Sequence, residues 1–197
     1  MDEWVERAMA RMPNVPALFG WLGLNRRGEW LIQGDVINHR RIVDTIARNY
    51  GADEHGRWFF QNGPQRGYIT LEYAPLIARV QADDSLVAHT GRRIETASAL
   101  YLDEESTAVL GTSEGAVLIQ GAELAWVLER LRQAGGDEEI DESALASALE
   151  ATSGAKTDLE LVFASERLPV YRCDRADMPT TLGFVREPAP CEDENSN

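Results

Sequence analysis

The chain has 197 residues, 44% of them hydrophobic, and a formal net charge of −14. That length suits one domain or two small ones, and no apolar run approaches the roughly 20 residues of a membrane helix. The acidic start Met1-Asp2-Glu3-Trp4 is unlike a secretory leader, and Cys173 and Cys191 have neither zinc-type nor disulfide-framework spacing, so we expect a cytoplasmic protein with no metal and no cofactor.

Residues 2–12 predict a short helix, capped by Asp2 and striped with Trp4, Val5, Ala8, Met9 and Met12, that Pro13 ends. Strands follow at 18–25 and 29–33, around a turn at Asn25-Arg26-Arg27-Gly28. Asp35 or Asn38 then caps a helix running to Tyr50, with Ile42, Val43, Ile46 and Ala47 inward and Gly51 as its stop. After a turn at Asp53–Gly56, strands are expected at 57–61, 67–73 and 76–81. Period-two alternation in Tyr68–Tyr73 marks a half-buried strand, and Pro75 marks a break.

Asp83-Asp84 reads as a boundary between halves. Short strands are expected at 86–89, 93–96, 98–102 and 107–111, with turns at 103–106 and 112–115. Strand 116–120 leads into a helix at 122–133 with Leu124, Val127, Leu128 and Leu131 inward, Arg130 and Arg132 at its negative end, and Gly135-Gly136 as its stop. An acid-rich linker precedes a helix at 142–150 capped by Asp141. Strands at 158–163 and 168–172 follow, then a tail from Pro188 whose composition predicts disorder.

Two heptapeptides, Gly28–Gly34 (GEWLIQG) and Gly115–Gly121 (GAVLIQG), stand 87 positions apart, and Gly56–Gln61 is a shorter echo. Both heptapeptides run into helical patterns, which predicts a duplicated unit. The expected fold class is α+β: two related halves, each a small antiparallel sheet with a packed helix. The expected divisions are an arm at 1–13, halves at 14–82 and 83–135, an acidic helix-strand extension at 136–187 and the tail at 188–197.

Charge sharpens the functional reading. Residues 14–81 carry +2, residues 82–135 carry −5, and residues 136–197 carry −10. Duplex nucleic acid, bound through many displaced counterions, is excluded as a partner of such a chain. The densest polar run is Asp53–Arg66. Within it Arg57 and Arg66 suit a bidentate grip on an anion, Gln61, Asn62 and Gln65 suit polar recognition, and Trp58 suits stacking. Structural use of these same groups, as core or loop caps, competes with each assignment. A hydrolase would use His55 as base with Asp53 or Glu54 orienting it, but adjacent turn residues seldom face one another and no nucleophile motif accompanies them.

The run Gly28-x-Trp30, Gly34, Ile37, Asp53-x-x-Gly56-x-Trp58-Phe59, Pro64, Tyr68-Ile69, Leu71-Glu72 and Pro75 resembles an uncharacterised family of bacterial two-domain proteins. The resemblance covers residues 28–81 well and 82–135 loosely. It implies a duplicated α+β core, a second half similar to pleckstrin-homology barrels, and a small, nucleotide-like ligand held between the halves in signalling. Three functions follow as expectations: a non-catalytic ligand-sensing module for a small anion, a protein-interaction adaptor using sheet edges and residues 136–197, and a hydrolase using His55.

Overall fold

The computed structural model describes residues 16–191. The expected arm at 1–13 and the last six residues lie outside them. The chain divides into two compact units, one ending at Pro75 and resuming at Phe184, the other spanning Leu76–Gly183. The class is α+β, mostly sheet with few helices. The division falls at Pro75, not at Asp83-Asp84, which instead forms the tip of a hairpin.

The first unit runs β1 (Ala17–Leu24), β2 (Trp30–Ile32), β3 (Asp35–Val36), α1 (Arg40–Arg48), β4 (Tyr50–Ala52), β5 (Trp58–Asn62) and β6 (Gln65–Leu71). Its sheet order is β3-β2-β1-β6-β5-β4. The turn between β1 and β2 forms because the Asn25 side chain accepts from the Arg27 and Glu29 amides at 3.0 and 2.9 Å and Gly28 takes φ 77°. Gln33-Gly34, expected to lead into a helix, is instead a two-residue hairpin turn with φ of 51° and 90°. Asp35 therefore lies in β3, and the residue before α1 is His39.

Gly51 does not stop the helix but lies in β4, opposite Phe59. The physical reason is Tyr50. Its ring fits between Trp30 (4.8 Å, 77°) and Trp58 (4.8 Å, 40°), and its hydroxyl donates to the Pro75 carbonyl at 3.0 Å. Enclosure of this kind pushes the Tyr50 phenol well above its usual range. Burying each such ring contributes about 1.5–3 kcal/mol, more than a helix gains from one further turn.

The sheet is mixed, not antiparallel, because α1 returns the chain so that β6 runs parallel to β1. The pairing shifts around Gly20, at φ 73°, where β1 carries extra residues. Beyond that bulge Leu22 sits so close to Gly67 that a Cβ there would lie 2.7 Å from Leu22 Cδ1.

The second unit runs β7 (Leu76–Val80), β8 (Leu86–Ala88), β9 (Arg93–Ile94), β10 (Ala99–Leu102), β11 (Ala108–Thr112) and β12 (Gly115–Ile119). A 3₁₀ turn at Gly121–Glu123 opens α2 (Leu124–Leu128), followed by β13 (Leu131–Gln133), α3 (Glu142–Glu150), β14 (Lys156–Phe163), β15 (Glu166–Arg172) and α4 (Met178–Leu182). One nine-stranded sheet takes the order β13-β14-β15-β10-β11-β12-β7-β8-β9. Two of its pairings, β10 with β15 and β12 with β7, are parallel.

Three expectations change here. The helix over 122–133 ends at Leu128, and Leu131 enters β13 opposite Leu161. Leu131 is fully buried from the strand, while Leu128, expected inward, is 37% exposed. Residues 136–183 are not an extension, since β14 and β15 pair directly with β13 and β10. The Asp141 cap does form, accepting from the Ala144 amide at 2.8 Å.

The strand order of the first unit recurs inside the second. Three meandering strands, a helix and three more antiparallel strands, with α3 inserted between β13 and β14 in the second unit, place the first and last strands side by side and parallel in β1–β6 and again in β10–β15. The two heptapeptides do not occupy matching places in that scheme. GEWLIQG covers β2 and its turn, whereas GAVLIQG is β12, which by order matches β3.

Candidate functional site

Arg57 and Trp58 lie inside the first unit, at 5% and 7% exposure. Arg57 Nε donates to Asp53 Oδ2 at 2.8 Å, Nη1 to the Ala189 carbonyl at 3.0 Å and Nη2 to the Tyr68 hydroxyl at 3.1 Å. Its guanidinium also lies over the Tyr68 ring, 4.7 Å from the centroid. Burial pulls the Asp53 carboxyl upward, but the Arg57 side chain and the Arg57 and His55 amides outweigh it and hold the group below its usual value.

The C-terminal segment completes this cluster. Val185 donates to the Gly56 carbonyl at 2.9 Å, and Leu71 donates to the Arg186 carbonyl at 2.8 Å. Phe184 and Pro188 are buried. Ala189, expected in a disordered tail, is thus tied to the Arg57 clamp through its carbonyl.

Gln61, Asn62, Gln65 and Arg66 share the β5–β6 hairpin, where Asn62 pairs with Gln65 around Gly63-Pro64. Gln61 Nε2 donates to the Gly63 carbonyl at 2.7 Å, and Arg66 Nε donates to Gln61 Oε1 at 3.3 Å. The Arg66 guanidinium covers the Phe59 ring at 4.5 Å. The hairpin brings these four together, while Arg57 and Trp58 face the interior.

His55 is exposed, with Nε2 3.7 Å from Glu54 Oε1. What the Asp53 carboxylate takes from His55 is its backbone amide, at 3.0 Å, and its other oxygen accepts from Arg57 Nε and the Tyr68 hydroxyl. At 3.7 Å the Glu54 carboxylate lies beyond the hydrogen-bond reach by which it would orient this imidazole as a base.

The second unit holds a cleft of about 350 Å³ that the sequence reading missed. Its polar wall comes from the β7–β8 turn (Asp84), from Arg93 and Glu95, and from Trp126 and Arg130. Its apolar wall is Leu86, Ile94, Val162 and Phe163. The turn is tight: Gln81 donates to the Ser85 carbonyl at 2.8 Å, and Asp84 takes φ 65°. Asp83 accepts from Ser85 and pairs with Arg93, and these contacts lower its carboxyl, Ser85 contributing most.

Asp84 Oδ1 accepts the Trp126 indole N–H at 2.8 Å, and Asp84 Oδ2 pairs with Arg130 Nη2. Arg130 Nη1 donates to the Trp126 carbonyl at 3.0 Å, and its guanidinium lies over the indole at 4.2 Å. The geometry joins an aromatic face to two fixed donors at the mouth of an apolar cleft, an arrangement suited to a small anion with an apolar body. The four-residue spacing of Trp126 and Arg130 on a helical pattern was the available signal.

Elsewhere in this unit, His89 Nδ1 accepts from the Ile77 amide at 3.2 Å, and burial pushes the imidazole down to about 4. Arg172, 6% exposed, ties α3 to the sheet by donating to the Leu149 carbonyl at 3.0 Å. Among the described residues no helix is long and apolar enough to cross a membrane.

The chain belongs to the family DUF2944, whose model, described as "Protein of unknown function (DUF2946)", matches residues 1–189. A comparison with curated proteins finds no match. Among solved structures, the chain is similar to a DUF1285 family protein from Silicibacter pomeroyi DSS-3, with TM-score 0.53, 14% identity and coverage of 87% of this chain and 96% of that one. A DUF1285 family protein from Shewanella baltica OS155 matches at TM-score 0.40 and 15% identity over 52% of this chain and 86% of that one. The first of these likenesses concerns the fold alone.

Proposed function

We propose that this protein is a non-catalytic ligand-sensing module that binds a small anionic ligand in the cleft of its second unit and serves in signalling. One observation carries the reading: the Arg130 guanidinium, 4.2 Å from the Trp126 ring centroid, borders a cleft of about 350 Å³ with an apolar wall. We favour this cleft over the β5–β6 hairpin because Arg57 and Trp58 are enclosed, and Gln61 and Arg66 commit donors to the hairpin itself. Ser85, which lines the cleft, donates to Asp83 at 2.6 Å, and Asp83 is also paired with Arg93 and held below its usual value, which makes it a weak base and favours binding over catalysis. The recurring strand order supports descent of β1–β6 and β10–β15 from one duplicated unit.

A thermal-shift screen of anionic metabolites, read with tryptophan fluorescence, tests the reading. A ligand at 100 times its Kd raises stability by about 2.7 kcal/mol. Arg130→Gln is expected to abolish the response. A panel at millimolar concentration that moves neither signal rules the reading out.

A second reading has its own observation. The second unit carries twenty acidic and nine basic residues, a balance that attracts a basic protein partner and repels nucleic acid. Under this adaptor reading, reversing Glu138, Glu139 and Glu142 to Lys weakens partner capture at low salt and leaves the fold intact.

A further inference from the structure

We propose that the second-unit cleft takes a small monocarboxylate with an apolar body, and that Asp84 occupies the carboxylate's place in the free protein. The inference rests on the ligand-binding reading above and narrows its chemistry.

Each donor also has a hold that does not involve Asp84. Trp126 is only 8% exposed and sits in α2. Arg130 is anchored by its bond to the Trp126 carbonyl and by its contact with the indole face. Asp84 is the exposed partner, with a side chain 63% exposed at the tip of a hairpin in the left-handed region. Its two oxygens take one indole N–H and one guanidinium N–H, the fork any carboxylate offers. An incoming carboxylate that displaces Asp84 restores both bonds and lays its body against Leu86, Ile94 and Phe163.

Charge selects the class. Asp83, Asp84, Glu95 and Glu129 face two cations: Arg93 is already paired with Asp83, and Glu129 stands 3.7 Å from Arg130 Nη1. A monoanion takes over the Asp84 ion pair one for one, while the Asp84 carboxylate turns to solvent, where its charge is screened. A phosphate dianion or a nucleotide adds charge beside Glu95 that nothing balances, and such juxtaposition opposes binding.

The test titrates the full chain and its Asp84→Ala variant with phenylacetate, with uncharged 2-phenylethanol and with ATP, following tryptophan fluorescence after circular dichroism has established folding. Asp84→Ala is expected to bind phenylacetate at least tenfold tighter than the wild type, with 2-phenylethanol unchanged, and adding Arg130→Gln removes the gain. Asp84→Asn, which keeps the left-handed turn, serves where the alanine variant does not fold, and a smaller gain in the same direction is expected. A folded variant that binds phenylacetate no tighter than wild type overturns the displacement. ATP binding that tightens while phenylacetate does not overturns the carboxylate class but keeps the binding reading. Loss of all binding by wild type and variants removes both.

Discussion

The first unit uses its most buried cation to hold itself together, whereas the second keeps an arginine at the edge of a cleft. Arg57 is enclosed with Asp53, their side chains 6% and 7% exposed, and its remaining donors reach Tyr68 and the C-terminal segment. Arg130 has a side chain 23% exposed and a partner in Asp84 that is mostly in solvent. The described part of the first unit carries eight basic and seven acidic residues, against nine and twenty in the second. The same residue type in the same recurring strand order thus takes opposite roles. Burial decides which: a guanidinium taken out of water needs every donor matched, while one at a rim exchanges partners at little cost.

The largest way to break this contrast is Arg57→Ala. It strands the Asp53 carboxylate in the interior, and removing one partner of a buried pair costs about 3–5 kcal/mol. Hydrogen exchange is expected to show residues 17–71 and 184–191 losing protection together while β10–β15 keep theirs. Equal loss in both units would make Arg57 a determinant of the whole chain.

Acid separates the units next. His89 titrates from 6.5 to about 4 on folding. Its folded pKa is lowered, so its contribution is complete above pH 6.5 and declines as pH falls toward 4, by up to about 3 kcal/mol. Asp53, also lowered, begins to weaken the first unit only as pH falls through its unfolded value of 3.8. Unfolding followed from pH 7 to pH 3 should therefore weaken the second unit first, and His89→Gln should flatten that limb. A first unit that fails earlier contradicts the assignment.

Gly67→Ala probes packing in the first unit alone. The added carbon meets Leu22 Cδ1 at 2.7 Å, and overpacking of this kind costs about 1–3 kcal/mol, measurable as a lower urea midpoint with unchanged slope. The smallest effect belongs to the second unit. Ala164 and Ser165 form the β14–β15 turn with φ of 49° and 67°, a conformation suited to Asn-Gly. Ala164→Asn with Ser165→Gly should stabilise by about 1 kcal/mol, raising the midpoint of the second unit only.

Much of the strand pattern is legible in the sequence. Alternation in Tyr68–Leu71, the Asn25–Gly28 turn and the Asp141 cap all act locally, and each appears where its chemistry places it. Leu124–Leu131 shows where local reading fails. Its spacing fits a helical stripe, yet pairing Leu131 with Leu161 buries the same side chain and also satisfies the edge of β14. The similar heptapeptides mislead for a related reason: Gly34 turns a hairpin while Gly121 opens a 3₁₀ helix, and what recurs is a strand order, not the place of the heptapeptides in it.

The candidate site divides the same way. The Arg-rich composition, the acidic second half and the amide-rich hairpin near Pro64 are sequence properties, fixed by residue identity alone. Which guanidinium is enclosed and which borders a cleft depends on partners 46 and 132 positions away, Asp84 for Arg130 and Ala189 for Arg57. Contacts at that separation form only once sheets have assembled, because the free energy that fixes them comes from burial shared among many residues and not from any local run of the chain.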